Sequence, residues 1–115
     1  LSAGLNDSLL CNSVDEIMQG LIDADLGGNI IKKRVALPGR GKRGGARTLL
    51  ATNMGSHWFF VFGFEKNVRG DIEADELSAL KRLARDLLRL TQQQLVEAAS
   101  AGIITEICHG QKKTH

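Results

Sequence analysis

The side chains with most chemical potential in this 115-residue chain are cations crowded into its first half. Lys32, Lys33, Arg34, Arg40, Lys42, Arg43 and Arg47 lie between Asp25 and Glu65, and no acidic residue separates those two. The acids sit in the flanks, so a net charge of only +2 conceals one cationic sector. Such a sector suits a polyanion held against one face of a small domain. On an extended strand, Lys32 and Arg34 share one side and Lys33 takes the other. An antiparallel neighbour carrying Arg47 would complete a trio able to grip a phosphodiester. A solvated sheet face whose charges keep an edge soluble is the plainer alternative. Arg47 weighs against it, because a charge at the mouth of an apolar hairpin is costly without a task.

Other candidates are less specific. The glycine-rich run from Leu37 to Ala46 carries Arg40, Lys42 and Arg43 and frees backbone N–H groups to approach an anion. It is no nucleotide-binding P-loop, since the Gly-Lys-Ser/Thr ending is missing and no helix follows. A mobile connection between strands is the competing reading. Lys66, Asn67 and Arg69 leave the aromatic segment together and are candidate RNA contacts, with an ordinary polar turn as the alternative. His57 reads as a strand-end residue sooner than a general base. The aromatics Trp58, Phe59, Phe60, Phe62 and Phe64 could stack on bases; their unbroken apolarity reads as core instead. Cys11 and Cys108 lack CxxC spacing and read as two reduced thiols. Scattered histidines give no reason to expect a bound metal. With no apolar run of about 18–20 residues and no signal-like start, the cytoplasm is the expected compartment.

These residues need elements to hold them. Residues 6–24 read as a helix capped by Asn6 or Asp7, with Leu10, Val14, Ile17 and Leu21 at helical spacing and Gly27-Gly28 ending it. Ser13 with Glu16 offers a second capping box within that stretch. Three strands follow: Asn29–Leu37, Ala46–Thr52 and His57–Phe64, the last expected at the centre of the sheet and covered by helix. Residues 74–90 form the clearest helix, with Leu77, Leu80, Leu83, Ala84, Leu87 and Leu88 in one stripe. Thr91 with Gln94 marks the start of another helix, Leu90 with Leu95 has staple spacing, and Gly102 stops it. Ile103–Ile107 reads as a short closing strand and residues 109–115 as a loose tail. Together these give a single α+β domain: a small antiparallel three-strand meander packed by N-terminal and C-terminal helices.

The composite of I-K-K-R-V-A-L-P-G-R-G-K-R-G-G-A-R-T, then W-F-F-V-F-G-F-E-K-N-V-R, then D-E-L-S-A-L-K-R-L-A resembles the RelE/HigB-like toxins of bacterial type II toxin–antitoxin systems, in the RelE/ParE superfamily. The resemblance implies a small antiparallel sheet with N-terminal and C-terminal helices. It also implies an endoribonuclease that needs no metal or cofactor and cuts mRNA in the ribosome through attack of the ribose 2′-OH on the adjacent phosphate. By position, Lys32 and Arg34 resemble the family's paired basic residues, and Arg47 the arginine that binds the scissile phosphate. Lys66, Asn67 and Arg69 occupy the region of a further catalytic basic residue. Lys33, Arg40, Lys42 and Arg43 are expected to bind RNA, and Lys32, crowded by like charges, to accept a proton. The implied partners are mRNA, the ribosome and a cognate antitoxin in complex with the toxin. The chain departs from the pattern in having no tyrosine, and the strand and helix that usually begin family members are not legible before Leu5. Two other readings stay open: a toxin of the same fold that inhibits DNA gyrase by binding, and a basic RNA-binding module without activity.

Overall fold

The computed structural model describes residues 6–37, 41–53, 57–65, 71–105 and 107. The chain runs α1 (Asp7–Met18), β1 (Ala24–Gly27), β2 (Ile30–Leu37), β3 (Gly41–Thr52), β4 (Trp58–Glu65), α2 (Ala74–Leu88) and α3 (Gln92–Ser100). The strands form one antiparallel sheet in the order β1-β2-β3-β4. This is the expected α+β arrangement with one strand more than the meander expected from sequence.

The additional strand comes from the tail of the expected first helix. Asn6 caps α1 by accepting the Leu9 N–H at 2.9 Å, as its residue type predicts. Ser13 forms no second cap; its hydroxyl donates to the Leu9 carbonyl at 3.0 Å, a bond to the preceding turn that leaves the helix unbroken. The helix ends at Met18, ahead of Gly20 at φ 90°, a conformation other L-residues rarely adopt. Residues 24–27 then pair with β2 through a tight turn whose central residues, Gly28 and Asn29, both have positive φ, 60° and 67°. Such a turn matches the twist of a hairpin.

β3 also starts earlier than expected, at Gly41 instead of Ala46, so half of the supposed glycine-rich loop is strand. Gly45 is required there: a Cβ at this position would lie 2.6 Å from the Val35 carbonyl oxygen, beside the irregularity between Val35 and Leu37. β4 lies at the edge of the sheet and not at its centre. Its continuous apolarity has another cause, since its residues divide between two apolar clusters, one on each face of the sheet, although most of the strand is only half-buried. Phe59, Val61 and Phe62 pack against the cluster of Ile30, Leu49, Ala51 and Ala84 of α2, while Trp58 and Phe60 pack against that of Ile17 of α1, Ile31 and Leu50. Of the aromatic run only Phe64 is buried, and Trp58, Phe59, Phe60 and Phe62 are half-buried against the two clusters, so the expected core role holds in part.

Beyond the sheet, α2 and α3 follow the sequence closely. Ala84 is fully buried against Ile30, Leu49 and Ala51. Thr91 and Gln94 exchange the two capping-box hydrogen bonds at 3.1 and 2.9 Å, and Gly102 sits at φ 78° past the end of α3. Ile103–Thr105 and Ile107 are not strand. Cys11, expected as a thiol, is buried and joined in a disulfide. The expected tail at 109–115 lies outside the described residues. No helix among the described residues is long and apolar enough to cross a membrane.

Candidate functional site

The pleat of β2 sorts its residues between two helices. Ile31 joins Ile17 of α1 and Leu50 on one face, while Ile30 joins Leu49, Ala51 and Ala84 of α2 on the other. Lys32 and Arg34 continue the row that begins at Ile30, and Arg47 continues the row of Leu49 and Ala51. The three cations therefore stand on the α2 face of the sheet, beyond the part that the helix covers. Arg34 and Arg47 are direct cross-strand partners. Like charges so placed repel, at a cost of order 0.2–1 kcal/mol, and an anion between them would reverse the sign.

Neither arginine forms an ion pair with a described residue, although the charge of Asp71 acts on Arg47. Arg34 is exposed. Arg47 is half-buried between Arg34 and the buried Phe64, its partners on the two neighbouring strands. One of its guanidinium nitrogens, Nη1, is covered and has no hydrogen-bond partner. A buried donor left unmatched costs about 1–3 kcal/mol, so it marks a place where an acceptor belongs.

Lys32 has company that the sequence did not announce. Its Nζ lies 3.5 Å from Oδ1 of Asp71, just ahead of α2, and the two side chains are 22% and 63% exposed. The same carboxylate oxygen accepts the Ile72 N–H at 2.8 Å. That N–H bond, then the charge and hydrogen bond of Lys32 and the charge of Arg47, hold the Asp71 carboxyl below its ordinary value against the opposing effect of burial. Lys32 is therefore not surrounded by like charges alone: it has a carboxylate partner in Asp71.

Lys33 needs the opposite correction. It is buried on the α1 face, its Nζ 2.8 Å from Oε1 of Glu16, and Thr48 ties down its carbonyl at 2.9 Å. With its charge spent on a helix under which it is buried, Lys33 is a structural tie and cannot also face RNA. Lys42 and Arg43 belong to β3 instead of a loop, with side chains outside the described residues. Arg40, Lys66, Asn67 and Arg69 also lie outside them. His57 stacks on Phe59 with ring centroids 6.1 Å apart, in keeping with a strand-end role.

Asp71 is the residue that sequence reading missed. It lies 39 positions from Lys32, and only the path of the chain back over the sheet brings the two together. The available hint was weak: Asp71 is the first acid after Glu65, next to the start of the clearest helix.

A cationic face on a small antiparallel sheet, backed by a C-terminal helix, is the arrangement against which relatives can be judged. Comparison with curated proteins finds no match. The family model described as "RelE toxin of RelE / RelB toxin-antitoxin system" matches residues 2–107, nearly the whole chain and every element of the fold. The chain belongs to the RelE family and is a toxin of a toxin–antitoxin system.

Proposed function

We propose that this toxin is an endoribonuclease that cleaves mRNA without a metal ion, in the ribosome, with Lys32, Arg34 and Arg47 around the scissile phosphate. The observation that carries this reading is the cross-strand pair Arg34 and Arg47 on one face of the sheet, with Nη1 of Arg47 buried and without a hydrogen-bond partner. When the ribose 2′-oxygen attacks phosphorus, the phosphate gains negative charge. Fixed cations that meet this charge stabilise the transition state by roughly 3–4 kcal/mol for one good donor. Lys32 supplies the proton for the departing 5′-oxygen. Arg40, Lys42, Arg43, Lys66, Asn67 and Arg69 extend the RNA contact along the backbone. Membership of the family implies a RelB-type antitoxin as partner. An acidic or helical antitoxin segment laid over the same face would exclude RNA by occupying its place.

Induced expression with growth and transcript 5′ ends followed together tests the proposal. Growth arrest with codon-phased cleavage is expected from the wild type and not from Arg47→Ala. Loss of DNA supercoiling with intact transcripts would instead favour a toxin that acts on gyrase. A salt-independent affinity for single-stranded RNA would remove every nucleic-acid reading.

A further inference from the structure

We propose that the outer face of α2 is a second RNA-binding surface, which grips the phosphate backbone of a base-paired RNA while the sheet face holds the strand to be cut. In assigning the sheet face that strand, the proposal rests on the ribonuclease reading. The C-terminal half of α2 carries Lys81, Arg82 and Arg85, with Arg89 at its C-cap. Lys81 is engaged in packing: its stem lies over the β1–β2 turn, where a Cβ on Gly28 would come within 2.7 Å of its Cγ and Cδ. Arg82, Arg85 and Arg89 are exposed, and none of their guanidinium groups has an ion-pair or hydrogen-bond partner among the described residues.

Helical spacing makes the three arginines a row. Positions 82, 85 and 89 fall on the side of the helix turned away from Leu80 and Ala84, which meet the core of the sheet. At 1.5 Å of rise per residue the row is about 10 Å long. Asp86 is the one carboxylate that flanks it in this half of the helix. The helix dipole favours cations in the last turn only, and Arg82 stands more than a turn before the end, so the dipole does not account for the row. Arginine pairs with phosphate through two parallel N–H bonds, which suits such a row to a polyanion of regular spacing.

Two observations choose the occupant. Every aromatic residue of the chain lies between Trp58 and Phe64, so α2 offers nothing on which an unpaired base could stack. Proteins that hold single strands combine cations with aromatic platforms. Cations alone on a rigid helix match a backbone that is itself rigid, as in a duplex read through its shape and phosphates. An antitoxin helix would instead seek apolar surface. Leu83, the exposed leucine of α2, looks away from the row, into a groove that it lines with Trp58, Phe59 and Val96. Because α2 lies on the sheet face that carries Lys32, Arg34 and Arg47, its outer side looks the same way as that trio. A folded RNA with a duplex beside an unpaired strand can therefore meet both surfaces, and the two contacts reinforce each other.

The test presents the intact chain with an RNA hairpin lacking overhangs and with an unstructured single-stranded RNA, each followed by fluorescence anisotropy over a range of salt. Combining Arg82→Gln, Arg85→Gln and Arg89→Gln should weaken hairpin binding about 10–100-fold and flatten its log–log salt slope by about 2–3. Affinity for the single strand should stay within about twofold of wild type, and the melting temperature should hold, since all three side chains are exposed. Arg34→Ala should do the reverse, weakening the single strand and sparing the hairpin. Co-sedimentation with purified bacterial ribosomes should fall in the triple variant as hairpin affinity does. Wild-type hairpin binding by the triple variant, or equal losses on both RNAs, overturns the proposal. So does a wild type that prefers a DNA duplex to the hairpin, or a triple variant that loses an antitoxin and keeps the hairpin. If the wild type cuts no transcript on induction while the hairpin and single-strand losses still separate, the ribonuclease reading fails and the α2 surface stands.

Discussion

Lys32 and Lys33 are neighbours in sequence, identical in chemistry, and opposite in circumstance. The pleat turns Lys33 under α1, where Glu16 takes its charge at 2.8 Å. It turns Lys32 toward the open part of the α2 face, where Asp71 holds it at 3.5 Å beside two arginines facing each other. One face of the sheet has matched its charge and closed over it. The other, among the described residues, sets three cations against the single carboxylate of Asp71 and stays more open to solvent. A basic cluster in a sequence is therefore not one object, and strand parity divides it into a part that holds the fold and a part that can meet a ligand.

Substitutions on either side should break along that line. The largest effect is expected from Arg47→Met, which keeps the aliphatic stem and removes the guanidinium. Cleavage should fall about 10²–10³-fold in a single-turnover assay while thermal stability holds or rises, since the opposition to Arg34 is relieved. Lys32→Met should lower the cleavage rate about 10²-fold by removing the proton donor. Its stability should change by less than about 1 kcal/mol, because the lost ion pair is exposed on the Asp71 side. Lys33→Met should reverse this pattern, with cleavage within about twofold of wild type. Urea titration should show a stability loss of about 1–3 kcal/mol, discounted from a fully buried pair because Glu16 is half exposed. Equal losses of cleavage in the Lys32 and Lys33 variants would erase the distinction between the faces.

Two smaller effects sharpen it. Arg34→Ala should reduce the log–log salt dependence of RNA affinity by about 0.7, the share of one phosphate contact on a single strand, and Lys33→Ala by nothing. The last concerns acid. Because the folded-state carboxyl of Asp71 is held below its ordinary value of 3.8, chiefly by the Ile72 N–H, its ionisation stabilises the fold above that value. The contribution is complete at neutral pH and fades as the pH falls from about 3.8 through the folded value. The stability gap between wild type and Asp71→Asn should therefore be constant near neutrality and shrink below that window, as pH-dependent urea titrations would record.

How much of this was legible beforehand depends on the reach of each signal. α2 and α3 were readable because their apolar stripe and capping residues lie within a few positions of one another, as Thr91 and Gln94 do. The common side of Lys32 and Arg34 followed from alternation alone. The register that sets Arg34 opposite Arg47 needed only an antiparallel hairpin. β1 was hidden because Ala24–Gly27 is four residues long with a single large apolar side chain, so the helical pattern before it ran on unopposed. β4 misled in another way: apolarity on both faces reports helices on both sides and says nothing of how many strands adjoin. Asp71 and the Glu16 tie to Lys33 were beyond reach, since each depends on where a helix docks.

Gly45 carries no charge, no proton and no hydroxyl, yet it stands two residues before Arg47 at the point where β3 presses on the Val35 carbonyl. Any side chain there would push the two strands apart and with them the guanidinium groups that the hairpin aligns. Cells that survive this toxin through mutation should thus be found with replacements at a position devoid of functional groups. The interval between two strands would prove as vulnerable a component of toxicity as the cations it spaces.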